Sequence, residues 1–303
     1  MPGAYKTYSE YLAEKFPGKG KIQKIGVTIG NSCPNRDGTI GRGGCSYCNN
    51  ASFTPEYIDS TATPESIQET LEKGKSFFGR KYPDMRFLAY FQSYTNTYGG
   101  STEQLMKCYR TAAASSGIVG IVIGTRPDCI AEDLMHELAR MNAVECPVMI
   151  ELGAESSHDI TLERVNRCHS WETTVNTVYR LNAHGISVGL HFIMGLPGET
   201  RTMMLDTVRR AVNLPIDTLK FHQLQIIKGT RFAAEYEENP NQFELFNPET
   251  YADLCREIID IVAPSGIAIE RFVSQAPDDM LIAPRWGLKN YQFTNLLNSR
   301  INK

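Results

Sequence analysis

From residue 21 to residue 227 the chain alternates short, near-continuous apolar runs with longer amphipathic stretches. The apolar runs fall at 21–30, 87–92, 118–123, 147–152, 186–194 and 218–227, and each is bounded by polar or glycine-rich residues. Runs of that length, apolar on both faces, predict strands buried in a parallel sheet. Helical spacing predicts helices at 4–16, 64–78, 102–115, 131–141, 159–166, 172–184 and 200–213. Thr63, Pro64 and Glu65 supply the start signals of the second of these, and Gly185 a stop for 172–184. Five of the six strands follow a helix. The expected fold is therefore α/β, a partial (β/α)6 barrel of TIM type with its site at the C-terminal ends of the strands.

The polar residues support that placement. Asn31 and Cys33 follow the first run, Gln92 and Ser93 the second, and Gly124 to Asp128 the third. The fourth ends in Glu151, Gly153 and Glu155, and the fifth in Gly195 to Glu199. The sixth carries His222 and Gln225, with Lys228 beyond. A ligand lying across the barrel mouth accounts for polar groups recurring at one end of every strand. Beyond Gly229 the texture changes: 235–244 reads as a polar loop, 248–262 as a helix, 267–273 as a strand, 274–286 as irregular and 289–300 as a helix. Three regions are expected: an N-terminal helical segment (1–20), a core barrel (21–230) and a C-terminal extension packed on it (231–303).

Composition narrows the setting. The 303 residues are 42% hydrophobic with a net charge of −3, which gives no global basic footprint. The N-terminus is too polar for a signal peptide, and no run of about 18 apolar residues predicts a membrane span. Eight cysteines in such a chain suggest a reducing cytoplasm and no disulfide framework.

Three of those cysteines carry the strongest chemical signal. Cys33, Cys45 and Cys48 stand in CPNRDGTIGRGGCSYC, at C-x11-C-x2-C spacing, directly after the first strand. Three thiolates can hold three irons of a [4Fe–4S] cube and leave the fourth open. Gly38, Gly41, Gly43 and Gly44 allow the positive φ and close backbone approach that wrapping a cluster requires. Zinc and a thioredoxin-like pair remain as readings of the spacing, although structural zinc calls for a fourth ligand.

That loop, together with GTRPDC (124–129), ELGAES (151–156), HFIMGLPGET (191–200), KFHQLQIIKGT (220–230) and RFVSQAPDDMLIAPRWG (271–287), resembles the radical S-adenosylmethionine (SAM) superfamily. Within it the chain looks like the YhcC/YtqA-like branch, which is similar to the radical half of Elongator's catalytic subunit. The resemblance spans nearly the whole chain. It implies a [4Fe–4S] cluster on Cys33, Cys45 and Cys48, and SAM chelating the open iron. It also implies reductive cleavage to a 5′-deoxyadenosyl radical, with electrons from a flavodoxin- or ferredoxin-like donor. Tyr47 resembles the aromatic beside the adenine end, and Gln92 and Ser93 the motif at the methionine amine. Thr125, Arg126 and Glu151 fall to the ribose and methionine region. Gly195 and Leu196 frame adenine, and Arg164 or Arg167 pairs with the methionine carboxylate.

Plainer roles stand beside these. Gln92 and Ser93 can cap a strand, Arg164 and Arg167 can lie on a solvated face, His191 can be a satisfied barrel residue, and Cys108, Cys129 and Cys255 read as packing. Two residues depart from the family pattern: Cys168, where relatives tend to have glycine, and Glu155, where many have glutamine. Relatives of the Elongator type work on the wobble uridine of tRNA, so the resemblance points to a C5 substituent of a tRNA uridine. The clusters Lys15, Lys19, Lys21, Lys24 and Arg285, Lys289, Arg300 are candidate phosphate contacts. Small-metabolite or protein substrates, and a non-catalytic Fe–S or zinc protein, are the rival readings.

Overall fold

A computed structural model describes residues 3–30, 32–54, 58, 64–79, 82 and 84–301. Thr63 and Asn31, singled out above, lie outside the described residues.

The strands are β1 (Ile22–Val27), β2 (Arg86–Phe91), β3 (Ile118–Thr125), β4 (Val148–Glu155), β5 (Ser187–Met194), β6 (Thr218–Gln223), β7 (Ile226–Ile227), β8 (Ala268–Arg271) and β9 (Leu281–Ala283). Seven of them form one parallel sheet in the order β1-β2-β3-β4-β5-β6-β8, curled into a half-barrel. The six expected strands are all present. The seventh, β8, comes from the C-terminal region and continues the same sheet. The run expected as one strand to residue 227 stops at Gln223, and β7 then pairs antiparallel with β9. That small second sheet falls partly within 274–286, expected to be irregular. The expected loop at 235–244 begins instead as the helix Arg231–Glu238, capped by the Thr230 side chain.

Alternation along the strands explains why the sheet curls. Ile25, Val27, Phe91, Ile121, Ile123, Ile150, Leu152, Leu190, Phe192, Leu219 and Phe221 face the helices and form the main core. The alternate residues face inward, where side chains from non-adjacent strands meet. At the N-terminal end of the barrel, Leu88, Val122, Met149 and Ala268 pack on Tyr11, Leu12 and Phe16 from the helix Tyr8–Lys15 and its C-cap. Thr7 and Glu10 cap that helix reciprocally, and Thr7 bridges to Ile269. The N-terminal helix thus plugs the floor of the barrel.

Directly above this plug lies a buried ionic layer. Lys24 on β1 pairs with Glu151 on β4 and, at 2.5 Å, with Glu270 on β8. Lys220 on β6 reaches Glu151 at 2.9 Å, Glu270 at 3.4 Å and the Tyr90 hydroxyl at 3.0 Å. Burial alone would neutralise the lysines, but the facing carboxylates, Glu151 first, outweigh it and hold both ammonium groups charged. Two cations and two anions close on themselves. Among the described residues no helix is long and apolar enough to cross a membrane.

Candidate active site

The cysteine loop rests at the open end of the barrel, where β1 delivers it. Its first turn is the short helix Pro34–Asp37, capped at Cys33. Gly38, Gly43 and Gly44 take positive φ as expected, but Gly41 does not. Its requirement is space, since a Cβ there would stand 2.1 Å from Asn35 Oδ1. Asn35 is fully buried. It donates to the Asn166 carbonyl at 2.5 Å and lies 3.6 Å from Cys45 Sγ. Asn166, itself at positive φ, donates back to Arg42 O and Gly44 O. Ser46 N bonds Val165 O, and Phe232 N bonds Ser46 O. The loop is therefore clamped between the segment after β4 and the helix Arg231–Glu238.

Two guanidinium groups face it. Arg167 places Nη1 3.5 Å from Cys45 Sγ, Nη2 2.5 Å from Gly153 O and 3.6 Å from Glu155 Oε1. Only glycine suits position 153, because a Cβ there would sit 2.7 Å from both Arg167 Nη2 and Glu155 Oε1. Arg126 is 2% exposed, bonds Asp128 through two parallel contacts of 2.9 and 2.8 Å, and donates to Arg167 O. Arg36 donates to Cys48 O at 2.6 Å. Burial pushes the Cys48 thiol up to about 11, with the Cys45 thiol adding to the rise and Arg36 opposing it. Binding a metal there releases that proton. All eight cysteines are free.

The remaining predicted residues divide. Tyr47 reaches the same region, beside Cys45 and Arg167, and Ser93 follows β2; each has a buried hydroxyl with no partner among the described residues. Gln92 lies across Gly26, where a Cβ would be 2.5 Å from its Nε2. Thr125 bonds Thr97 at 2.6 Å and so ties the loop after β2 to the end of β3. Gly195 has φ of 87° and Leu196 is buried in the cluster with Val165, Ile193 and Phe232. Glu151 is not at the mouth but in the ionic layer below. Arg164 turns outward to Glu235 at 2.5 Å, so of the two candidate arginines only Arg167 faces the cysteines. Lys24 is likewise paired in the ionic layer.

Sequence reading missed Asn35 and Asn166, whose clamp needs the fold to be visible. It also gave His191 only a barrel role. His191 Nδ1 lies 3.1 Å from Glu155 Oε2, and its ring centre is 4.8 Å from that of His222, the two planes tilted by 34°.

An iron–sulfur cube with a bound amino-acid ligand fits this donor set. Three thiols stand among buried donors, and Arg126 Nη1, Arg167 Nε, Ser93 Oγ and Tyr47 OH have no partner among the described residues. Buried polar atoms ordinarily find partners, so the unpaired atoms of Arg126, Arg167 and Tyr47, all within electrostatic reach of Cys45, mark space for a ligand.

The comparisons with known proteins agree. The radical SAM superfamily model matches residues 27–211, and the Radical_SAM C-terminal domain model matches 216–303. The chain is 32% identical to the uncharacterized protein YtqA of Bacillus subtilis over 98% of this chain and 89% of that protein. It is 38% identical to protein YhcC of Escherichia coli over 88% and 82%. A tRNA uridine(34) acetyltransferase of Methanocaldococcus jannaschii is 24% identical over 58% of this chain and 32% of that one. Among solved structures, Elp3 of Methanocaldococcus infernus superposes with a TM-score of 0.65, at 15% identity, over 93% of this chain and 62% of that one. That family uses a [4Fe–4S] cluster and SAM, and this chain belongs to the radical SAM superfamily.

Proposed function

We propose that this chain is a radical SAM enzyme acting on the C5 substituent of a uridine in tRNA. Cys33, Cys45 and Cys48 hold the cluster. Bound there, a [4Fe–4S] cluster and SAM would supply one-electron radical chemistry for removing a hydrogen atom from the substrate. Arg167 and Asn35 direct N–H groups at Cys45 Sγ, which stabilises the thiolate charge. Arg126 Nη1 and Arg167 Nε are the cationic donors available to a carboxylate. Ser93 Oγ and Tyr47 OH add neutral donors. The clamp on the cysteine loop fixes these groups relative to one another.

The observation that carries the cofactor reading is the buried Arg167, packed on Cys45 while its Nε stays unpaired. The tRNA reading rests on likeness. One curated relative is by name a tRNA uridine(34) acetyltransferase, and the similarity lies in a stretch covering 58% of this chain. Of the two basic clusters, Lys15, Lys19 and Lys21 sit at the plugged end of the barrel, before β1. Arg285 and Lys289 follow β8 on the mouth side and line a cleft of about 630 Å³ with Gln223, Gln225 and Gln275. Phosphates would meet that second cluster. A flavodoxin- or ferredoxin-like protein in the cytoplasm is the fitting reductant.

The test is mass-spectrometric comparison of modified nucleosides in tRNA from wild-type and deletion strains. The expected result is loss of one C5-substituted uridine with build-up of its precursor. An unchanged nucleoside profile would sink the tRNA reading and leave the cofactor reading standing.

A further inference from the structure

Two neighbouring helices of the outer layer bring together a set of metal-ligating groups that the radical chemistry does not use. Glu132 opens the helix Glu132–Val144, and His136 stands one turn further on, on the same face. His184 caps the C-terminal end of the helix Trp171–Ala183. One oxygen of Glu132 and one ring nitrogen from each histidine lie within 4.8 Å of one another. Glu132 and His136 are exposed and His184 is half-buried, so the set faces solvent.

The spacing fits a shared ion better than a hydrogen bond. His136 Nε2 is 3.6 Å from Glu132 Oε1, too long for a hydrogen bond. Two ligands of a tetrahedral zinc ion, each about 2.0–2.1 Å from the metal, stand about 3.3 Å apart. The two imidazole rings meet at 70° with centres 5.0 Å apart, so neither lies flat over the other. Bringing the three atoms to the zinc spacing takes small side-chain rotations, which exposed groups make readily.

Neighbouring groups hold the set in place. His184 Nδ1 lies 2.8 Å from the Arg180 carbonyl. A carbonyl oxygen only accepts, so that nitrogen carries the hydrogen and Nε2 keeps the lone pair that binds a metal. Arg180 Nη2 donates to Glu132 Oε2 at 2.5 Å and leaves Oε1, the oxygen that faces His136. The same bond holds the Glu132 carboxyl below its ordinary range and therefore anionic. The Arg180 charge opposes a bound cation, while the helix end at His184, where the dipole favours one, works the other way. Asn142 donates to Gly185 O at 3.0 Å and accepts from Val148 N at 2.9 Å, which pins the two helices together beside the set.

We propose that Glu132, His136 and His184 form a solvent-facing site for a divalent ion of the zinc class, separate from the cysteine loop. Two imidazole nitrogens and one carboxylate oxygen suit zinc, and water completes the coordination. Magnesium and calcium favour oxygen ligands and are poor occupants. A bound ion joins the helices that precede β4 and β5 and acts as a staple on the outside of the barrel. The proposal depends neither on the tRNA reading nor on the chemistry at the mouth.

The test is calorimetric titration with Zn2+ of the tag-free, cluster-reconstituted full chain under anaerobic conditions, as wild type, His136→Ala and His184→Gln. Iron content checks folding and cluster occupancy. Thiols elsewhere in the chain take up zinc equally in all three proteins, so the difference between them isolates this site. Wild type should bind one zinc equivalent whose Kd rises at least about 10-fold in each variant, the loss seen even for outer partners of metal ligands. Because the ion binds the folded state, Zn2+ should also raise the unfolding midpoint of the wild type more than that of the variants. Equal zinc uptake by the three proteins, or equal shifts of the midpoint, would overturn the site. A wild-type-specific uptake of Mg2+ matching that of Zn2+ would overturn its assignment to the zinc class.

Discussion

Two buried polar layers lie one above the other inside this barrel, and they are built on different terms. In the lower one, Lys24, Glu151, Lys220 and Glu270 satisfy each other across four strands. In the upper one, Arg126, Arg167, Ser93, Tyr47, Glu155 and His191 each keep a buried atom without a partner among the described residues. The strands and the degree of burial are similar, so neither decides which layer binds. What separates the layers is whether the charges close on themselves. A closed set is structural, and an open set has work for a ligand.

The largest effect that tests this contrast should come from the cysteines. Cys45→Ala should abolish cluster assembly, measured as iron and sulfide bound after anaerobic reconstitution, while the apo-protein stays folded. The Cys45 thiol meets Arg167 and Asn35 at the mouth and takes no part in the closed ionic layer.

Removing one partner from the closed layer should instead destabilise the fold. Lys220→Met leaves Glu151 with a single cation, and uncompensated buried charge costs roughly 3–5 kcal/mol. Urea unfolding of the apo-protein measures it. Ser93→Ala, in the open layer, removes a hydroxyl with nothing to lose and should change stability by less than about 0.5 kcal/mol. It should nevertheless weaken SAM binding to the holoenzyme. Equal stability losses for the two variants would erase the distinction between the layers.

A smaller effect concerns acid. His222 is held neutral in the fold by burial, and in the unfolded chain it protonates below the ordinary histidine value. The unfolded state then binds more protons, so stability is present at neutral pH and falls as pH drops below about 6.5. The slope should be about 1.4 kcal/mol per pH unit at most, continuing toward the folded value. His222→Asn should flatten that part of the pH–stability curve. An unchanged slope would mean that His222 is not the buried neutral group described.

Much of this was legible in the sequence, for identifiable reasons. Alternating apolar runs and helical stretches announce parallel strands because both sheet faces are covered. The cysteine spacing is local, so it survives without a fold. The seventh strand was read as a strand, but its place in the sheet depends on a contact between Thr218 and Ala268, 50 residues apart. Glu151 and Arg164 show the limit more sharply. Both are polar residues near strand or helix ends, and sequence position put both at the mouth. The lysines that claim Glu151 come from β1 and β6, and Glu235, which claims Arg164, comes from a helix beyond the barrel. Long-range partners of this kind decide whether a charge is spent or available.

Anaerobic reconstitution followed by reduction in the presence of SAM tests the central claim most directly. Wild-type protein should bind a [4Fe–4S] cluster and form 5′-deoxyadenosine. Arg167→Met should retain little of either, because Cys45 loses its cationic neighbour and Glu155 its guanidinium partner. Full cluster content and undiminished 5′-deoxyadenosine formation in Arg167→Met, or stoichiometric zinc in place of iron in the wild type, would contradict the account.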